Sequence, residues 1–533
     1  MTIPKLIIII IIILSVFFTK PIQSTTHFIK STTNDTAPKQ YFEVTHPLPT
    51  DNVTPSCSVN LLNHTFSNTT NSSSVTVNYT TPPDTCNWSV AILQFQAECK
   101  DEQYDRIAGI WIDGVELLRT STAQPTENGS FWNVRKDEFG EEFYSNLALQ
   151  LLYPYNKPAD SIVPISASGG VNESFWFRIE DEFDVKTQKV KISNKTYKAV
   201  LELYVSFHGN DESWYMNPSD SYVETNHLST GQAHGAYREV LVTIDGKLVG
   251  AVVPFPVIST RGINRLFWDP VVSIGAFNLP SYDIDLTPFL GLLLDDKNHT
   301  IGIKIADGIS FWLVDANLHL WFDKSNVVKA KTLKSNVPTM EVQRSTNFEL
   351  LDGEFEIQGE RESKVTGWVY SSAGNLQTQC TEKIKFKSKL KYKEQGTKKE
   401  VDQRYKRKTR IKITNEVGKV VDSLEVKFKY PLKISIETKP GLDIDTSVMT
   451  TKVVQERSER FYGGKELMVL SHKQNCTGLV VVKGSFVLSG SAETQQNYNY
   501  NNGRGCYSRM VDVVGGVVVG DDTSSICVSD VDW

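Results

Sequence analysis

No stretch in the first 325 residues repeats its apolar side chains on the 3.6-residue period of an amphipathic helix. Short alternating runs appear instead, punctuated by Gly, Pro and Asn and rich in aromatic and β-branched residues. Such a pattern folds by pairing strands, so the chain is expected to be all-β and built of antiparallel sandwiches. The clearest single unit is Ile107–Ile112, then Asp113-Gly114, then Val115–Ser121. It reads as a hairpin whose Asp-Gly pair supplies the positive φ of a tight turn.

At 533 residues the chain is long enough for about three or four domains. The expected order is a leader over 1–24, a Ser/Thr-rich linker over 25–40 and a first sandwich over 41–195. A second sandwich over 196–325 and a β-rich C-terminal domain over 326–533 follow. A net charge of −6 gives no reason to expect a nucleic-acid partner. The run Leu6 to Phe18, interrupted only by Ser15 and flanked by Lys5 and Lys20, would as a helix reach about 20 Å, short of the roughly 30 Å of bilayer hydrocarbon. It therefore reads as a signal peptide, although an A-x-A cleavage pattern is missing and an uncleaved anchor stays open.

Glycosylation sequons agree with a secretory route, ending outside the cell or in a lysosomal or vacuolar compartment. Asn63, Asn78, Asn87, Asn128, Asn172, Asn194, Asn298 and Asn475 each precede x-Ser/Thr without an intervening Pro. Seven cysteines in an oxidising lumen imply mostly disulfides with one thiol left over, which weakens any catalytic-cysteine scheme. Residues 382–410 are dense in Lys and Arg and read as a solvated face.

Common catalytic machines leave no trace: no His-Glu-x-x-His for zinc, no phosphate-cradling Gly-x-x-x-x-Gly-Lys-Ser/Thr, no Gly-x-Ser-x-Gly elbow. The nine histidines are scattered. Hydrolysis by carboxylates without a cofactor remains. An acid and a guanidinium, Asp105 and Arg106, stand side by side where the hairpin begins. From the residues alone such a pair is more often a solvated ion pair at a turn.

The run Tyr104-Asp-Arg-Ile-Ala-Gly109, leading into Gly114-Val-Glu-Leu-Leu-Arg-Thr-Ser-Thr-Ala123, resembles the hallmark of the plant-type peptide-N-glycanase A (asparagine amidase A) family. Further blocks resemble it in order: Phe42-Glu-Val-Thr45, Trp132-Asn-Val-Arg-Lys-Asp137, the loop Gly209-Asn-Asp-Glu-Ser-Trp-Tyr215, and Leu313 to Asp323. More distantly the Asp-Arg entrance is similar to that of bacterial peptide-N-glycosidase F. The resemblance implies two jelly rolls whose meeting brings the hairpin mouth to the 208–218 loop, and a pocket that also accepts cores fucosylated on the inner sugar. It implies release of N-glycans from glycopeptides or glycoproteins, with Asp105 as principal catalytic residue and Arg106 and Glu212 in support. His208, Asp211, Trp214, Tyr215, Trp111 and Arg238 become the substrate-binding candidates, with Trp214 and Tyr215 stacking on sugar faces.

One departure stands out. The bacterial enzyme has a further functional Glu near the end of its first domain, and the corresponding strand here, Leu147 to Tyr153, offers Gln150 and Tyr153 instead. A catalytically silent, glycan-binding or structural glycoprotein of the same fold is the alternative this leaves open.

Overall fold

The computed structural model describes residues 10–17 (backbone), 38–48, 54–66, 74–79, 86, 90–100, 106–126, 128–140, 158–169, 174–324, 327–463, 466–484, 486–502 and 505–526. Strands dominate, and the longest helix among the described residues is Asp220–Thr225. None is long and apolar enough to cross a membrane. The apolar run near the start enters a sheet: Ile10–Phe17 pairs antiparallel with Ser74–Tyr79 and with Ile107–Ile112.

Two sheets form the first unit. One runs in the order Ser74–Tyr79, Ile10–Phe17, Ile107–Ile112, Val115–Ser121; the other in the order Lys39–Tyr41, Ser130–Gly140, Val90–Cys99. Ile110, Leu118, Trp132 and Val134 pack between them, joined by Val272, Ala276 and Phe277 from further along the chain.

The second unit is a sandwich. One sheet holds Lys186–Val190, His299–Ala306, Glu239–Ile244 and Lys247–Val252. The other has the order Ser281–Asp285, Thr196–Phe207, Trp312–Phe322, Ser161–Ile165, with Phe177–Ile179 also paired to Trp312–Phe322. This sandwich thus draws strands from before residue 196. The two central strands, Thr196–Phe207 and Trp312–Phe322, alternate apolar and polar as half-exposed strands do, yet both are buried along almost their whole length. Their apolar side fills the sandwich. Their polar side, carrying Glu202, Ser206, Asp315, Asn317 and His319, is covered by the hairpin of the first unit.

An eleven-stranded antiparallel sheet from Lys329 to Ser524 completes the described chain. It lays its apolar face on the second sandwich through Phe355, Phe386 and Tyr430, which meet Tyr222, Tyr237 and Phe255 edge-on. A sealed ion pair, Arg361 to Glu239 at 2.7 Å, crosses the same contact.

Cysteine usage departs from expectation. Cys57 and Cys86 are joined and Cys506 is disulfide-bonded, but Cys99, Cys380 and Cys476 are free thiols. Cys380 and Cys476 lie four strand spacings apart in one sheet, about 19 Å, far beyond the reach of a disulfide. Burial pushes the thiols of Cys99 and Cys476 up to about 12, so neither is a nucleophile near neutral pH.

Candidate active site

The hairpin turns where the sequence expects, with Asp113 at φ 49° and Gly114 at φ 83°. Its register carries a bulge between Ile110 and Trp111, so that Gly109 opposes Arg119 and Trp111 opposes Glu116. The extra residue puts Glu116 and Arg119, an odd number apart, on one face with Trp111. That face docks on the second sandwich. Arg119 Nε and Nη2 donate to the two carboxylate oxygens of Glu116 at 2.8 and 2.6 Å, and Nη2 reaches Asp315 Oδ1 at 3.1 Å. Its Nη1 donates to Leu313 O at 2.7 Å and Ser206 Oγ at 3.2 Å. Trp111 Nε1 donates to Asp315 Oδ2 and Trp176 Nε1 to Glu116 Oε2, both at 3.0 Å. Burial, then the neighbouring Glu116, raises the Asp315 carboxyl well above the usual range.

From this seam the contacts continue into the 208–218 loop. Ser206 Oγ lies 2.9 Å from His208 Nε2, and the His208 ring stacks on Phe311 with centroids 5.1 Å apart. Two backbone bonds between His208 and Phe311, and one from Asn210 N to Ser310 O, fix the loop. Gly209 sits at φ +58°, where an added Cβ would come within 2.9 Å of Ser310 O, so the turn after His208 excludes a side chain. Burial, and the charges of Arg119 and Arg178, push the His208 imidazole down to about 3. It is therefore neutral at any physiological pH and acts as a hydrogen-bonding group.

On the other side of Phe311 stands an acid the sequence reading missed. Glu180 accepts from Ser310 Oγ at 2.7 Å and pairs with Arg178, whose guanidinium lies 3.5 Å from the Phe311 ring centroid. Partial burial works against its charge, but the Arg178 and Ser310 hydrogen bonds prevail and hold the carboxyl below its ordinary range. Phe311 in turn packs against the cluster that includes Ile107 and Leu279. The first residue of the hairpin, the ring beside His208 and the Arg178–Glu180 pair therefore share one neighbourhood. The signal was present in Phe175-Trp-Phe-Arg-Ile-Glu180, where strand alternation puts Arg178 and Glu180 on one side.

The expected residues divide. Asp105 and the strand over 147–153 lie outside the described residues. Arg106 closes the hairpin mouth, its N–H donating to Thr122 Oγ1 and its carbonyl accepting from Thr122 N, both at 2.8 Å. Glu212 is exposed on the loop. The remaining candidates build the walls. Asp211 is fully buried: Arg238 grips both its oxygens at 2.7 and 2.8 Å, while Trp312 Nε1, Ile309 N and Asn217 Nδ2 also donate to it. Arg238, with further bonds to three carbonyls, is equally sealed. Trp214 and Tyr215, 0% and 1% exposed, are core side chains. They present no face on which a sugar could stack, and Trp111 is enclosed in the seam. Among the described residues no group of three or more His, Cys, Asp or Glu could hold a metal ion.

The family model for peptide N-acetyl-β-D-glucosaminyl asparaginase amidase A matches residues 45–139 and 139–338. The chain belongs to the peptide-N-glycanase A family. Peptide-N4-(N-acetyl-β-glucosaminyl)asparagine amidase A of Prunus dulcis is 35% identical over 544 aligned positions, covering 93% of this chain and 94% of that protein. No solved structure matches the chain. The glycanase A match contains the hairpin, the Arg178–Glu180 pair, the 208–218 loop and the strand Trp312–Phe322, and stops just inside the eleven-stranded sheet.

Proposed function

We propose that this protein is a peptide-N-glycanase: it hydrolyses the amide joining an asparagine side chain to the innermost N-acetylglucosamine of an N-linked glycan. Water adds to the amide carbonyl, the C–N bond breaks, and aspartate and a glycosylamine leave, the latter losing ammonia afterwards. The amine needs a proton, the water needs a base or an orienting group, and the oxyanion needs donors. In this reading Asp105 handles the water or the leaving-group proton and Arg106 offers donors. Glu180, kept as a carboxylate by Arg178, and the exposed Glu212 flank the loop anchored by neutral His208. The observation that carries the reading is the continuous contact path from Arg119 through Ser206 to His208, joining the two segments that hold the candidate acids. Entry into the secretory pathway is part of the proposal. It is supported by Asn63, Asn78, Asn128, Asn194, Asn298 and Asn475, all of which are exposed, as glycan acceptors must be.

The decisive experiment incubates the full chain with a labelled N-glycopeptide in ¹⁸O water and reads the peptide by mass spectrometry. Release with ¹⁸O-bearing Asp at the former glycosylation position is expected. Glycan retention on an unchanged Asn would sink the enzymatic reading and leave a glycan-binding one.

A further inference from the structure

The inner face of the eleven-stranded sheet changes character across its width. Toward one end, Phe355, Phe386 and Leu390 belong to the core shared with the second sandwich. Farther along, on Thr446–Gly463, Glu466–Lys483 and Phe486–Asn501, inner positions are filled by Thr451, Gln455, Gln474, Thr494 and Gln496, none more than 3% exposed. The register sets Gln455 opposite Gln474 and Gln474 opposite Gln496, so their amides form a row across the strands. Gln474 Nε2 donates to Gln455 Oε1 at 2.7 Å, and Gln496 Nε2 reaches Gln474 Oε1 at 3.4 Å. A buried amide left unpaired is costly, so a row of them marks a surface shaped for polar groups.

Those groups belong to the connection over 253–280, between Lys247–Val252 and Ser281–Asp285. An ordinary connection takes about 4–6 residues. This one is several times longer, and most of it is buried. Buried backbone outside a sheet needs partners, and side-chain amides supply them. Gln455 Nε2 donates to Pro256 O and Gln496 Nε2 to Val272 O, both at 2.7 Å, while Gln474 Oε1 accepts from Ile274 N at 3.2 Å. Thr494 Oγ1 donates to Phe267 O at 2.8 Å. Shape matches as well. A Cβ at Gly478 would come within 2.9 Å of Phe267 and one at Gly490 within 2.7 Å of Leu266, so the strands carry glycine where the turn Arg265–Trp268 lies against them.

The far side of the same connection holds the hairpin. Ala276 O accepts from Ser121 N at 2.9 Å, Leu279 N donates to Arg119 O at 3.0 Å, and Thr260 Oγ1 donates to Thr122 O at 3.2 Å. Thr122 is the residue that bonds Arg106 through both its N–H and its hydroxyl. Short steps therefore join the sheet to the hairpin mouth: glutamine row to connection, connection to Thr122, Thr122 to Arg106. Apolar packing would bury the connection equally well but tolerates sliding, whereas each amide is satisfied in one placement only. We propose that Gln455, Gln474 and Gln496 are positioning residues for glycan hydrolysis. The eleven-stranded sheet, nearly all of it beyond the matched residues 45–338, is then the template against which the hairpin mouth is set. The kinetic part rests on the hydrolase reading; the placement of the mouth does not.

The test compares full-length Gln474→Met with Leu390→Ala, a cavity variant in the apolar part of the same sheet. Glycopeptide hydrolysis is measured well below both melting transitions, and hydrogen exchange is followed over 118–124. Gln474→Met should lower kcat about 10- to 100-fold with KM within about twofold, because a small displacement of reacting groups is worth that much. Exchange over 118–124 should quicken in the same variant. Leu390→Ala should melt early too, yet keep the parent's kcat and the parent's exchange there. Either signal missing from Gln474→Met, or either present in Leu390→Ala, would overturn the proposal. Thr260→Val, which removes the side-chain bond to Thr122, should show the same changes at several-fold size, and it carries the test if Gln474→Met does not fold. Should the parent release no glycan, the hydrolase reading fails and exchange alone decides. Protection over 118–124 lost in Gln474→Met and kept in Leu390→Ala then upholds the placement, and any other pattern overturns it.

Discussion

Trp111 of the hairpin donates to the carboxylate of Asp315 in the second sandwich at 3.0 Å, and both side chains are sealed from solvent. The bond is one strand of a buried network in which Arg119 bridges Glu116 and Asp315. Neutral packing would hold two sandwiches together equally well. A charged seam instead fixes their relative position, because each group is satisfied in one arrangement only.

Arg119→Met should therefore be severe. It leaves Glu116 and Asp315 facing each other in a closed space without their shared cation, and breaking a buried pair in this way costs about 3–5 kcal/mol. Chemical denaturation measures it. Arg119→Lys should recover little, since a point charge cannot serve both carboxylates and Leu313 O together. Stability within 1 kcal/mol of the parent for either variant would mean that the network does not hold the seam.

Asp105→Asn removes the titrating group while keeping volume. Glycopeptide hydrolysis should fall by about 10² to 10⁴ with an unchanged melting transition. Were Asp105 only a turn residue, Asn would serve nearly as well and the rate would stay close to the parent's.

Glu180 and Glu212 can be told apart kinetically. Glu180→Gln should lower kcat by about 10² because it removes a carboxylate held in its charged form by Arg178 and Ser310. Glu212→Gln, on the exposed loop, should lose less and divide the loss between KM and kcat. A Glu180→Gln enzyme turning over at the parent rate would return the supporting role to Glu212 alone.

Stability should also change with pH through Glu43, which accepts N–H bonds from Gly275, Phe277 and Asn278 in the loop that hydrogen-bonds to Arg119 and Ser121 of the hairpin. Burial outweighs those bonds and raises its carboxyl to about 7, against 4.5 ordinarily. The folded state thus holds this proton more tightly than the unfolded state. Stability declines as pH rises from the ordinary carboxylate range, and the penalty is complete above pH 7 at no more than about 3 kcal/mol. Glu43→Gln should flatten the unfolding profile between pH 5 and 8; a variant with the parent's slope would assign that slope elsewhere.

The sequence by itself determined the local pieces: strands without helices, the Asp113-Gly114 turn, the hairpin it closes, and the family blocks. Each depends on side-chain period or turn chemistry, which act over a few residues. Only the tertiary structure decided which polar groups face inward. The bulge after Ile110 puts Glu116 and Arg119 on one side, contrary to simple alternation, and the docked hairpin buries the polar stripe of Glu202, Ser206 and Asp315 that alternation alone assigns to water. Trp214, Tyr215, Asp211 and Arg238 looked like site residues because their types can bind sugars. The fold spends them inside the loop, because a turn anchored through Gly209 has to fill and satisfy its own interior. Glu180 joins the candidate site through Ser310, 130 positions away. Pairing at such separation is fixed by the register of whole sheets, and no local pattern encodes it.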